Sequence, residues 1–309
     1  MSMSKIENVS QFVKKIITLT TNQEDNSKSV YWFRGEASSE FETPLVPNAY
    51  RVLSETLKHT KNKRFFSKNI KSIESNIDAE YYRKSFRYLK ESKIKNNFVN
   101  RYFLMQHYGI QTRLLDWSEN ALIALYFAVS SNNDKDGRIW ILKPFELNNI
   151  TFQKILGSEK NCKIIPSFGN NHKRKKLFNK EGKFRMREIS RRYLLMDFSN
   201  DKLPENSYFP LAIYPPYLEN RLQFQSGCFT IFGNEINGLM EVEDSKILNS
   251  LIIDRNNKQK ILKELEILGI SENSIYPGLD GLGKSLRTKY YQKYFDNTEA
   301  IFHVIQNQD

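Results

Sequence analysis

Residues Ala121 to Val129, read Ala-Leu-Ile-Ala-Leu-Tyr-Phe-Ala-Val, are almost wholly apolar. A helix with no polar face is buried on most sides, so the rest of the fold must be built to cover it. Just ahead of it, Gln106, His107, Thr112, Arg113 and Asp116 crowd between two apolar runs, and Gly109 breaks the first of these. Asp116 and Ser118 are N-cap candidates, and Glu119 and Asn120 suit a first helical turn, where free N–H groups and the helix dipole favour such residues. A polar cluster in front of a buried helix is a place where an anionic ligand can meet unpaired backbone donors.

Elements of both kinds surround this stretch. Ile6, Val9, Phe12, Val13, Ile16 and Ile17 share one face of a predicted helix over 5–19. Val30 to Gly35, rich in aromatic and β-branched residues, reads as a strand. Pro44 and Pro47 hold an extended connection. Residues 51–105 read as helical, with an acid-free run of Lys58, Lys61, Lys63, Arg64, Lys68 and Lys71. A turn at Asn132–Gly137 leads into a strand that ends before Pro144. Residues 145–160 are indistinct. Further strands are expected at Cys162–Phe168, Tyr208–Tyr214, Cys228–Phe232 and Ile247–Ile253. An amphipathic helix from Lys258 to Leu268 stops at Gly269, and a last helix lies near 280–295 after a Pro-Gly turn. Helices and strands alternate without a βαβ rhythm, which predicts an α+β fold of mixed small sheets with flanking helices.

The 309 residues carry a net charge of +12, which suits an anionic partner: nucleic acid, a membrane surface or a polyphosphate. Lys173 to Arg192 holds ten Lys/Arg and two Glu, a net of +8. Phe178, Phe184 and Tyr193 are interleaved with it, a pattern that fits nucleic-acid contact as well as a solvated loop. Within it Lys173, Arg174, Lys175, Lys176, Arg185 and Arg187 are the expected contacts, and single-stranded RNA is the expected polyanion. Cys162 and Cys228 have no metal or redox spacing, which fits a reducing cytoplasm. The four scattered histidines argue against a zinc site, and no apolar run approaches a membrane span.

Several residues stand out for chemistry. Arg34 follows three aromatics and precedes Gly35. It is either a forked phosphate clamp at a strand end or the partner of a carboxylate at the core edge. His107 can act as a base, but no Ser or Cys nucleophile accompanies it. Arg113 and Asp116 either serve a ligand or pair to hold their loop. Tyr126 and Phe127 are core residues or a cofactor platform. Arg221, Gln223 and Gln225 share one face if that segment is extended, as do Glu241 and Glu243.

Together these pieces resemble the FRG-domain family of bacterial proteins. The matching motifs are Trp32-Phe33-Arg34-Gly35 with Pro44 or Pro47 and Arg51, then Gln106-His107-Tyr108-Gly109-Ile110-Gln111-Thr112-Arg113-Leu114-Leu115-Asp116-Trp117-Ser118 and Ala124-Leu125-Tyr126-Phe127-Ala128. Arg221, Gln225-Ser226-Gly227-Cys228-Phe229, Gly269-Ile270 and Tyr276 to Leu282 follow in order. Gln111 stands where the family usually has Pro, and Ser226 where a second Gln is common. In layout the chain is also similar to ADP-ribosyltransferases, which begin with an aromatic-Arg-Gly strand and continue with a Ser/Thr-containing strand, a helix of the Ala-Leu-x-Phe-Ala kind and a later strand bearing a Glu. Here that last position holds Gln225.

The resemblance implies an ADP-ribosyltransferase-like core and an NAD-dependent transferase of the toxin or phage-defence type, needing no metal. It assigns Arg34, Asp116 and Gln225 to catalysis. It assigns Arg34, Gly35, His107, Thr112, Arg113, Tyr126 and Arg221 to holding NAD. RNA is the expected acceptor and a neutralising antitoxin protein the expected partner. The other readings are a non-catalytic nucleic-acid-binding or sensor module and a nuclease-like effector using Asp116 with the acids at 241–243. The implied organisation is an N-terminal helix and loop over 1–29, an FRG-type catalytic core over 30–235 with a basic insertion near 170–193, and C-terminal strand and helices over 236–309 packed on that core.

Overall fold

The computed structural model describes residues 5–21, 30–51, 63–156, 164–167, 193–194, 209–216, 218, 223–242, 247–287 and 290. The stretch 173–192, with its six expected RNA contacts, lies outside these residues, as do Arg221, Glu243 and Cys162. The fold is α+β. Instead of several small sheets, the six described strands form one antiparallel sheet: β1 (Trp32–Glu36), β2 (Leu114–Ser118), β3 (Gly137–Leu142), β4 (Leu211–Ile213), β5 (Gly227–Ile231) and β6 (Leu248–Ile253), in the order β4-β5-β2-β1-β3-β6. One sheet results because the apolar strands are covered on both faces and each needs a neighbour for its backbone groups. β6 pairs along the whole of β3, so the segment after residue 236 supplies an integral strand of that sheet.

Strand alternation sorts the core. Trp32, Leu115, Trp117, Trp140, Leu142 and Cys228 pack on one face. On the other face there are two patches. Phe33, Ile139, Ile141, Leu251 and Ile253 lie under α5 (Ala121–Val129), α1 (Val9–Thr21) and α7 (Lys258–Ile267). Leu114, Phe229 and Ile231 lie under α4 (Phe98–His107). Isolated residue Ile6 adds a parallel bridge to Ile253 at the β6 edge.

The α5 helix is buried as its composition demands, and its closeness to the sheet rests on two glycines. A Cβ on Gly35 would lie 1.8 Å from the Ala124 carbonyl oxygen, and one on Gly137 would lie 2.6 Å from that of Ala128. Ala124 and Ala128, four apart, present a small stripe to β1 and β3. The helix is capped by Asn120, whose side chain accepts from Leu122 N at 2.9 Å. Asp116 and Ser118, the expected caps, are strand residues instead, because the alternation Leu114/Asp116/Ser118 against Leu115/Trp117 pairs along the full length of β5.

Other boundaries also differ from expectation. The helical stretch 51–105 is interrupted between α3 (Lys63–Glu91) and α4, where Lys93 has a φ of 55° and Asn97 caps the second helix. The indistinct region is helix α6 (Pro144–Leu156). Gln223 and Gln225 are not on an extended face. Ser226, at φ 46°, reverses the chain, and the strand starts only at Gly227. The remaining helices are the single turns α2 (Asn48–Arg51) and α8 (Glu272–Ile275) and the amphipathic α9 (Leu279–Arg287).

Candidate functional site

The central pair of strands is the least paired. β1 and β2 meet at Phe33 and Ser118 and then part. Arg34 sits at the parting. Its Nη1 donates to the Asp116 carbonyl oxygen at 2.9 Å, and its Nε to Glu36 Oε1 at 3.4 Å. Its second terminal nitrogen has no partner among the described residues. The Arg34 side chain is 17% exposed and that of Glu36 only 3%. Glu36 is held from three directions, since Trp140 Nε1 donates to Oε2 at 2.8 Å and Leu45 N to Oε1 at 3.4 Å. A carboxylate fixed in this way fixes the plane of the guanidinium it faces.

Asp116 is the one exposed position of β2. It belongs to the second sheet face, between the patch under α5 and the patch under α4, and neither helix covers it. From α4, Gln106 Nε2 donates to Asp116 Oδ2 at 2.8 Å. Gln106 is itself oriented by Thr112, whose hydroxyl donates to Gln106 Oε1 at 2.6 Å and accepts from Leu114 N at 3.1 Å. Thr112 is buried, so it sets the amide without reaching the open face. Arg51, on α2, donates to the Val46 carbonyl oxygen at 2.8 Å. Its pKa is lowered by burial and by the charge of Arg34, with Glu36 acting the other way. Two arginines therefore repel across Glu36, and an anion placed between them relieves that repulsion.

Five of the residues expected at the site lie elsewhere. Arg113 is fully buried. Its Nε donates to Glu74 Oε1 at 2.9 Å, Nη1 to the Phe232 carbonyl oxygen at 2.6 Å, and Nη2 to those of Tyr193 at 2.7 Å and Leu194 at 3.3 Å. Burial alone would depress its pKa, but Glu74, Tyr102 and Tyr50 raise it, so the cation is locked in the core. It does not pair with Asp116. Gly35 serves the close approach of α5 rather than a ligand, because its missing side chain points at Ala124. Tyr126 is two residues on from Ala124 and so turns away from the sheet. Burial, Glu272, Tyr276 and Glu266 push its phenol up to about 12, placing it against α7 and α8. Gln225 donates its side-chain amide to the Ile275 carbonyl oxygen at 3.1 Å, and its backbone carbonyl accepts from Ser118 Oγ at 2.6 Å. It ties the β5 turn to α8. His107 ends α4, its ring edge-on to the exposed Tyr108 at 4.8 Å.

The cluster is thus Arg34, Glu36, Arg51, Gln106, Thr112 and Asp116, brought from two strands, two helices and a loop. Residues 29–137 match the model of the FRG domain. The chain carries an FRG domain. Every residue of the cluster falls inside it, and so do the two glycines that seat α5. The match ends at Gly137, the first residue of β3, so it holds β1 and β2, while β4 and β5 on one side and the rest of β3 with β6 on the other lie beyond it. No curated protein and no solved structure matches the chain. Glu36 is the member that sequence reasoning missed. The signal available was a lone acid directly after an Arg-Gly strand, at the same parity as Arg34. A shallow groove of about 920 Å³ between α1 and α7 contains none of the cluster.

Proposed function

We propose that the FRG domain is the catalytic part of an NAD-dependent ADP-ribosyltransferase of the toxin or phage-defence type, with RNA as acceptor. The observation that carries this reading is the guanidinium of Arg34 held across the parting of β1 and β2 on the backbone carbonyl of Asp116, the exposed residue of β2. Arg34, braced by Glu36 and joined by Arg51, offers forked donors to a diphosphate. Asp116, oriented by Gln106, offers one carboxylate to the ribose as its C1′–N bond to nicotinamide breaks. The bonding electrons leave with the nicotinamide, an acceptor hydroxyl forms the new C1′–O bond, and its proton passes to Asp116 or to water. Such a step needs positioning and stabilisation of a cationic centre, which fixed side chains supply. Asp116 is preferred over Gln225 for this role because a neutral amide stabilises a developing cation less than a carboxylate does.

Labelled NAD incubated with the protein and total cell lysate tests both donor and acceptor. Label that resists protease and is lost to ribonuclease supports the reading; label that resists ribonuclease and is lost to protease replaces the acceptor. Expression of the chain alone is expected to arrest growth, with relief by a neutralising protein. Harmless expression in a host with the target would count against the toxin role. The non-catalytic alternative, a nucleic-acid-binding module, is favoured by the net positive charge and predicts RNA association with no NAD consumption.

A further inference from the structure

The long helix α3 carries a surface that the cluster does not use. From Glu80 to Lys95 there are six basic residues, Arg83, Lys84, Arg87, Lys90, Lys93 and Lys95, against two acids, Glu80 and Glu91. All six are exposed, while Ser85 and Leu89 are buried against the body of the domain. At 100° per residue, Arg83, Arg87 and Lys90 point directly away from Ser85 and Leu89 and form an outward ridge. Phe86 flanks the ridge on one side and Tyr88 on the other, 55% and 70% exposed. Tyr82, on the Phe86 side, has the Arg101 guanidinium 4.9 Å from its ring centre.

We propose that this end of α3 is a docking surface for single-stranded nucleic acid. Charge and aromatic placement together select that partner. A solvated helix face balances its charges at i,i+4 spacing and has no need of exposed rings. Among the described residues only Lys84–Glu80 at 2.6 Å, Arg87–Glu91 at 2.9 Å and Arg83–Glu80 at 3.9 Å offset the charge. Such exposed pairs hold weakly and yield to a phosphate. Phosphates meet the ridge, and unpaired bases stack on the rings at its flanks; a duplex keeps its bases out of reach of both rings. α3 and α4 run antiparallel, with Arg101 bound to Asp78 and Tyr102 to Glu74, so the basic end lies at the opposite end of the helix pair from Gln106. A strand held there approaches the domain lengthwise. This extends the reading of RNA as acceptor and rests on it only for what happens after binding.

The test is anisotropy of labelled 12-mers of single-stranded RNA, single-stranded DNA and duplex RNA, titrated with the full chain from 50 to 200 mM salt in the absence of NAD. Each phosphate contact on a single strand adds about 0.7 to the log–log salt slope, so replacing Arg83, Arg87, Lys84 and Lys90 with Ser is expected to flatten it by about 3. Phe86→Ala and Tyr88→Ala are each expected to weaken single-strand binding about five-fold or more and to leave duplex binding unchanged. All six positions are exposed, so an unchanged melting temperature is the control for folding. A quadruple variant with wild-type affinity and slope overturns the proposal. So does loss of binding to vesicles rich in anionic lipid without loss of binding to either single strand. Because NAD is absent, failure here leaves the transferase reading standing, and a dead transferase leaves this surface standing.

Discussion

Glu74→Gln is the substitution whose effect the structure fixes most tightly. Glu74 lies on α3 with its side chain 11% exposed, and it faces a guanidinium that is 0% exposed. It also accepts from the Tyr102 hydroxyl at 2.7 Å, and that hydroxyl accepts from Arg113 N at 3.1 Å. The amide keeps the shape and one acceptor but leaves the Arg113 cation buried without its counter-charge. Removing one partner of a buried pair costs about 3–5 kcal/mol. With about 2.1 cal/mol/K of unfolding entropy per residue, a chain of 309 residues loses roughly 1.5 °C of Tm per kcal/mol. A fall of about 5–8 °C is therefore expected. Calorimetry measures it, and urea titration gives the free energy directly. The double variant Glu74→Gln/Arg113→Met should recover part of the loss, because the uncompensated charge is gone. A Glu74→Gln protein within about 1 kcal/mol of wild type would refute the assignment of Arg113 as a core tie and return it to the list of ligand contacts.

Gly35→Ala is expected to fail to accumulate as folded protein, since its Cβ would meet the Ala124 carbonyl oxygen at 1.8 Å and force α5 off the sheet; soluble yield and far-UV circular dichroism read this out. Lys258→Met should cost about 3 kcal/mol or more in urea unfolding, because its ammonium donates to the Ala37, Ser131 and Asn132 carbonyl oxygens at 2.6, 3.0 and 2.9 Å and these lose their only charged donor among the described residues. Stability should fall as pH rises above about 10: burial raises the phenols of Tyr50, Tyr102, Tyr126 and Tyr214 above their usual value of 10.0, so the unfolded chain ionises first. The contribution of Tyr126 is complete below pH 10 and is lost as pH rises through about 12, so Tyr126→Phe should flatten that part of the curve.

The elements with strong local punctuation were legible in the sequence. β1, β3, β5 and α7 each pair an apolar run with a Gly or Pro near its end, β6 and α5 are marked by their apolar runs alone, and each falls close to its expected bounds. α6 was hidden because Asn148 and Thr151 interrupt the inward row that Leu147 and Phe152 supply. Asn148 and Thr151 are fully buried, the first exchanging hydrogen bonds with the Ala212 backbone and the second donating to the Pro210 carbonyl oxygen, so no apolar period shows. β2 was hidden because five residues between two polar groups look like a loop until β5 is laid beside them. At the site, Gln106 and Asp116 carry chemistry-bearing groups in a short span, and Arg34 stands out by type beside Gly35. The role of Arg113 was illegible, since its partner Glu74 lies 39 residues earlier, on α3. Gln225 misled because a Gln-Phe-Gln alternation mimics a strand, while the positive φ of Ser226 is a tertiary requirement.

Nicotinamide release from NAD by the purified wild-type chain, with and without single-stranded RNA, set beside Arg34→Ala and Asp116→Asn, tests the central reading most directly. Asp116 is the exposed position of β2, so Asp116→Asn should keep the wild-type melting temperature, whereas Arg34→Ala leaves the buried Glu36 without its counter-charge and should melt lower while staying folded at the assay temperature. The account predicts turnover by the wild type, raised by RNA, and a loss of at least about a hundredfold in each variant, the scale set by removing one positioned charge from a transition state. No release by the folded wild type under either condition, or full release by a folded Arg34→Ala protein, would contradict it.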